Sequence, residues 1–240
     1  MTLKQAMAKL ESMGTAQTRK TYGRHGVSGE MFGVKYGDLE KLVREIKTDH
    51  DLALELWETG NHDARILAGK ILDAGKVTAK QLDAWLRAVD NHVLSTALAE
   101  VAAASAAGRK TARKWMAAKK EWPAATGWMA LARIASTDDA PAGAECKKLL
   151  ADIERRIHDS PNRVKYSMNT AMIAIGSYVP GMEKEALRVA DRIGQVEVDH
   201  GLTNCKTPLA APYIRKAAAH HRAKLAKRSA KKTRAPRATA

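Results

Sequence analysis

Aromatic side chains are scarce in this chain, with one Phe, five Trp and five Tyr among 240 residues. Alternating strand patterns of useful length are missing too, which argues against a sheet-based fold. The two cysteines, Cys146 and Cys205, stand far apart in no metal-ligand spacing. They leave no zinc-type cluster and point to a reducing compartment. No run of about 18 apolar residues occurs, so no membrane span is expected. The start, Met1-Thr-Leu-Lys-Gln5, has no apolar signal region, and we expect a soluble cytoplasmic protein. Gly-x-Ser-x-Gly, His-Glu-x-x-His and nucleotide-binding fingerprints are all missing. The glycine-rich run from Gly23 to Gly37 lacks the Gly-Lys-Ser/Thr ending of a phosphate loop and reads as a turn. A generic hydrolase, kinase or dehydrogenase has no starting point here, and no metal or cofactor is expected.

Acid is absent from one end. Ten of the 41 Lys and Arg lie from Arg215 onward, where there is no Asp or Glu, so the rest of the chain holds 31 basic against 26 acidic residues. Two thirds of the net charge of +15 therefore sits in the last 26 residues. A positive body with a positive tail favours a polyanionic partner, nucleic acid above all, over a merely solvated surface.

What remains is rich in Ala, Leu, Lys, Glu and Arg, a helix-forming composition. Leu3, Met7, Leu10 and Met13 make a short amphipathic helix ending at Gly14. The basic stretch from Thr15 to Gly26 suits either helix or loop. From Asp38 the apolar stripes follow one another: Leu39 to Ile46, Leu52 to Trp57, Ala64 to Leu72 after an Asn61 N-cap, and Leu82 to Val89. Val93 to Ala107, Arg109 to Lys119, Trp122 to Ser136, Ala144 to Ile157, Pro161 to Val179 and Met182 to Ile193 continue the series, and Tyr213 to Lys224 resumes it. Short links imply antiparallel neighbours. Pairs recur at about 35 to 40 residues, the spacing of HEAT-type helical repeats. We expect an all-α, curved stack of antiparallel helix pairs over residues 1–226, followed by a disordered basic tail at 227–240.

The stretch from Arg163 to Gly176 anchors this reading. Val164, Met168, Ala171, Met172 and Ile175 form one stripe, with Ser160 placed as N-cap and Pro161 as the first helical residue. Asn169 and Thr170 are polar in mid-helix, and Arg163 with Lys165 makes a basic entry, as suits a helix beside a ligand. Val196 to Pro212 is the longest irregular segment, and long loops in compact domains are often functional. Its Asp199 and His200 read first as loop hydrogen-bonding groups rather than as a proton or metal site. Trp57, Trp85 and Trp128 fall in apolar stripes. Trp115 and Trp122 flank Lys119-Lys120, where packing again outweighs stacking on a base.

Phe32-Gly-Val-Lys35, then Leu54-Glu-Leu-Trp-Glu-Thr-Gly-Asn-His-Asp-Ala-Arg65, then Val164 to Gly176, resemble in order and spacing the AlkD-like DNA alkylation repair family, from about Leu3 to Ala226. The resemblance implies a HEAT-like solenoid holding duplex DNA in a basic concave groove. Enzymes of that family excise cationic N-alkylated purines, using an aspartate and two tryptophans against the sugar's developing positive charge and an arginine on the backbone. Here the family's Trp-Asp-x-x-Asp stretch falls on Asn91-His-Val-Leu-Ser95, so Asn91 replaces the Trp and Ser95 the catalytic Asp. The late Trp falls on Thr170, and the Arg on Ala125 within Trp122-Pro-Ala-Ala-Thr126.

The usual excision set is thus replaced. Asn91, Ser95, Asn169 and Thr170 are candidates for a polar groove pocket. Asp90 and His92 are the candidates for a different acid/base pair, weighed against Asp90-Asn91 merely capping the helix that begins at His92. Lys35, Arg65, Arg163 and Lys165, with the C-terminal basic segment, are the candidate phosphate contacts. The expectation is a monomeric, DNA-binding member of the superfamily that recognises damaged or distorted duplex. A glycosylase with a rearranged site and a protein-binding helical scaffold are the alternatives.

Overall fold

The computed structural model describes the backbone of residues 1–233 and the side chains of residues 1–227. Thirteen α-helices and a short 3₁₀ turn make up the regular structure of those residues. The helices are α1 (Leu3–Met13), α2 (Ala16–Arg24), α3 (Tyr36–Ile46), α4 (His50–Glu58), α5 (His62–Ile71), α6 (Ala79–Leu86), α7 (His92–Ala104), α8 (Gly108–Met116), α9 (Glu121–Ile134), α10 (Gly143–Arg156), α11 (Asn162–Tyr178), α12 (Glu183–Ile193) and α13 (Ala210–Thr233).

From α4 onward they pack as antiparallel pairs whose second members form one row. In that inner row α3, α5, α7, α9, α11 and α13 each pack on the next. The partners α6 with α8, and α10 with α12, form the outer row. Successive pairs begin at residues 50, 79, 108, 143 and 183, so the first repeats are tighter than the sequence periodicity indicates. The reason is helix length: the first two pairs have helices of 9 and 10 and of 8 and 13 residues, against 14 and 17 in the pair that begins at 143.

Local chemistry accounts for the helix starts. Thr2 and Gln5 form a reciprocal capping box at α1. Asn61 accepts from the backbone N–H groups of Asp63 and Ala64 and so opens α5. The start of α11 corrects the sequence reading by one residue. Pro161 is the N-cap and Ser160 donates its hydroxyl to Arg156 O of α10. The orphan N–H of Arg163 is taken instead by the Glu121 carboxylate of α9, 2.7 Å away. At the other end, α13 continues through Thr233, past residue 227 where irregular chain was expected. Ala, Lys and Arg sustain helix well there. Residues 234–240 lie outside the described residues.

Two hydrophobic clusters follow one another along the stack. The first spans Ala6 to Ile134 and centres on Trp57 and Trp85, whose rings stack at 4.0 Å and 4°. The second spans Met116 to Ile214 and contains Trp128, Met168, Met172 and Ile175. All five tryptophans are packing residues. Trp115 is buried with its Nε1 donating to Asp83, and Trp122 packs against the first cluster. At the seam, α8 and α9 approach closely. A Cβ at Gly127 would lie 2.5 Å from Met116 N and 2.8 Å from Ala112 O.

Candidate nucleic-acid interface

Most of the residues that carry the N-terminal motifs are committed to structure. Asp63, fully buried, accepts from the backbone N–H groups of Phe32, Gly33 and Val34 at 2.7, 2.9 and 2.9 Å. It holds the irregular Phe32-Gly-Val-Lys35 segment against the start of α5. Gly33 is needed there, with φ +79° and the Arg19 and Thr15 backbone 2.7 Å from where a Cβ would sit. Tyr22 seals the same segment by donating to Val34 O at 2.6 Å, and its ring packs edge-on against buried His62. Burial holds the His62 pKa below the ordinary histidine value. Arg65 donates Nε to Trp57 O and lays its guanidinium 5.4 Å over the Trp57 ring. Lys35 is exposed at the start of α3.

The chain around Asn91 is likewise structural. Asn91 is the N-cap of α7, its oxygen accepting from Leu94 N, and its amide donates to the Asp90 carboxylate at 2.7 Å. No hydrogen bond joins Asp90 to His92 among the described residues. The His92 ring instead lies 5.5 Å from that of His25. Burial first, then the positive charge of Arg163, lowers the His92 pKa to about 4, so it is neutral at pH 7. Ser95 is buried and shares a 2.8 Å hydrogen bond with the hydroxyl of Thr126 in α9. Asn169 is buried and donates to Pro208 O.

His92, Arg163 and Thr170 are the candidates that the fold brings together. They line a cavity of about 510 Å³ bounded by α7, α9, α11, the start of α13 and the long loop before it. Sequence reasoning missed Arg133, Tyr166, Lys206 and Tyr213, which share the lining. Only the length of the loop hinted at them. Lys165 is half-buried on the same helix but does not reach the cavity lining.

The loop is held over this cavity at several points. The Asn162 side-chain amide makes two 2.7 Å bonds to the Asp199 backbone, donating to its carbonyl and accepting from its N–H. The Asp199 carboxylate also takes the N–H of Gly201, and the His200 ring bonds the Thr207 hydroxyl at 3.0 Å. These are the loop-bracing roles expected of Asp199 and His200. Val196 is buried in the second cluster, so the segment both braces the last helices and roofs the cavity.

Charge pairing is uneven along the stack, and the inner row also has some: Glu40 of α3 pairs with Lys70 of α5, and Arg222 of α13 with Glu183 of α12. Outer helices pair their charges: Lys114 with Asp83, Arg109 and Arg113 with Glu145, Arg188 and Arg192 with Glu154. By contrast α11 and α13 contain no Asp or Glu, and α7 and α9 contain one each. Of those, Glu100 pairs with Arg133 at 2.9 Å and Glu121 caps α11. The cavity lining therefore includes Arg133, Arg163 and Lys206 and no carboxylate. Such a surface can neutralise phosphate, and it offers no carboxylate for stabilising a cationic sugar. No group of three metal-ligating side chains occurs among the described residues, and no described helix is long and apolar enough to cross a membrane.

Known proteins fit this architecture. An uncharacterised protein of Listeria innocua is 30% identical over 223 residues, covering 90% of this chain and 97% of its own. One of Listeria monocytogenes is 29% identical over the same span. A solved structure described as a new family of proteins related to the HEAT-like repeat DNA glycosylases, with affinity for branched DNA structures, superposes with a TM-score of 0.84 at 28% identity. It covers 92% of this chain and 96% of its own. The all-α stack is thus a HEAT-like repeat fold. Residues 3–232 match the family described as DNA alkylation repair enzyme, and the chain belongs to that family.

Proposed function

We propose that the protein binds duplex DNA along the inner row of helices, prefers distorted or branched duplex, and leaves the glycosidic bond intact. The carrying observation is the cavity on that row, with Arg133, Arg163 and Lys206 in its lining and no carboxylate. Arg133 is paired with Glu100, but Arg163 and Lys206 have no salt-bridge partner among the described residues, and such cations release counterions when phosphates replace them, which drives sequence-independent binding. The affinity of the solved neighbour for branched DNA supports the preference for non-linear duplex.

Excision of an alkylated purine requires stabilisation of a positively charged sugar in the transition state. The position matching the family's catalytic aspartate is Ser95, buried against Thr126. Asp90 lies outside the cavity lining and is bonded to Asn91. His92 is neutral at pH 7 and carries no negative charge. The groups in reach favour binding over chemistry.

Mobility shifts with linear, bulged and four-way DNA at rising salt test this reading. Binding that weakens steeply with salt is expected, with branched forms bound more tightly. The double variant Arg163→Ala/Lys206→Ala should lose about tenfold or more at moderate salt. Release of alkylated purines from methylated DNA above background, abolished by Asp90→Ala, would replace this reading by a glycosylase. Absence of binding even at low salt would favour a protein scaffold.

A further inference from the structure

We propose that the cavity beneath the 194–209 loop receives a single unpaired nucleotide of a DNA strand. This rests on the DNA-binding reading and adds to it what the protein recognises at a branch or bulge. The volume of about 510 Å³ suits a small ligand and not a duplex. The fittings are those of a nucleotide. Tyr166 and Tyr213 offer aromatic faces, Arg163 and Lys206 offer charge for the phosphate, and Met129 and Ile173 supply an apolar wall. Tyr213 is 52% exposed at the edge of the cavity, so its ring is accessible to a base.

The roof is prepared rather than loose. The Asn162–Asp199 and Asn169–Pro208 bonds fix the loop at both ends, and His200 meets Tyr166 edge-on at 5.7 Å. A base paired within a duplex must be unstacked before entering such a site, at a cost of a few kcal/mol, whereas an unpaired base has little of that to lose. Junctions, flaps and bulges carry such bases. The cavity thereby turns sequence-independent phosphate binding into selection for a structural defect, with no bond made or broken.

The test uses the full chain and a duplex with one bulged 2-aminopurine, beside the same duplex fully paired. Expected are about tenfold tighter binding of the bulged form at equal salt and a further drop in 2-aminopurine fluorescence on binding, as stacking on tyrosine requires. Tyr213→Ala should abolish the quenching and lower affinity for the bulged form to about that for the paired duplex. Cys205 gives a second readout. It is exposed and lines the cavity, while Cys146 is buried, so N-ethylmaleimide reports on Cys205. Bulged DNA should protect it several-fold better than paired DNA.

Equal binding of the two duplexes with unchanged fluorescence would overturn the nucleotide site and leave DNA binding standing. No binding to either would overturn both. Protection of Cys205 by free mononucleotide as strong as that by bulged DNA at equal concentration would overturn the strand assignment in favour of a soluble nucleotide.

Discussion

The two halves of the stack use their polar side chains in opposite ways. Around the first core, Asp63, Asn61 and Arg65 turn inward, each bonded to backbone or laid on an indole. Around the second, Arg163, Lys206, Thr170 and Tyr213 line a cavity. The motifs that stand out in the sequence belong mostly to the first group. Similarity to a repair family is thus carried in its N-terminal part by residues that build the fold, while the cavity takes Tyr166 and Thr170 from the late motif and Arg133, Lys206 and Tyr213 from stretches that no motif marks.

Removing Asp63 should show the largest effect of the first kind. Asp63→Ala strips three backbone N–H groups of their acceptor in a buried site, and about 3–5 kcal/mol of stability should be lost. Thermal unfolding should shift down by roughly 10 °C for a chain of this length. A shift of only a degree or two would mean that water replaces the carboxylate and that the contrast between the halves is overdrawn.

Arginine separates the halves more sharply. Arg65→Ala should cost about 1–2 kcal/mol through lost contact with Trp57 and its carbonyl, and leave affinity for duplex DNA within about twofold. Arg163→Ala should do the reverse, changing stability by less than about 0.5 kcal/mol and weakening duplex binding by several-fold to tenfold. If the two variants behaved alike in both assays, the division between structural and ligand-facing cations would fail.

How much of this was legible beforehand follows the range of the forces. Apolar periodicity is a local signal, so the helices and the Asn61 cap could be read directly. The cap of α11 could not, because Glu121 reaches Arg163 N from 42 residues away. Ser95 is a pocket candidate because it falls on the family's catalytic Asp position, and Asn169 because it is polar in mid-helix beside Thr170. Their partners, Thr126 and Pro208, come from other elements. Arg133, Lys206 and Tyr213 were missed for the same reason in reverse: only the stacking of four helices and a loop decides which way they face.

Acid should sharpen the comparison from the side of stability. The folded pKa of His92 is depressed to about 4 by burial and by Arg163, with His25 and His200 adding positive charge as they protonate. As pH falls from about 6.5, the unfolded chain takes up this proton before the folded one does. The stabilisation from keeping His92 neutral is therefore complete above about 6.5 and is lost on the way down to about 4. Partial exposure and solvent screening reduce it to roughly 1 kcal/mol. His92→Gln should flatten that part of the stability profile, and an unchanged slope would show that its ring is solvated.

The smallest effect concerns Lys206, and it distinguishes a phosphate contact from a general contribution to charge. Lys206 has no salt-bridge partner among the described residues, and it sits on a loop fixed at both ends. A cation held in place against one phosphate displaces about one condensed counterion. Lys206→Ala should therefore lower the slope of log affinity against log salt by about 1, equally for different duplex sequences. Lys110 on α8, across the stack, provides the control: it belongs to the outer row, so Lys110→Ala changes net charge equally without touching the cavity. If both variants shifted the slope by the same amount, charge alone would govern binding and the cavity would have no special standing.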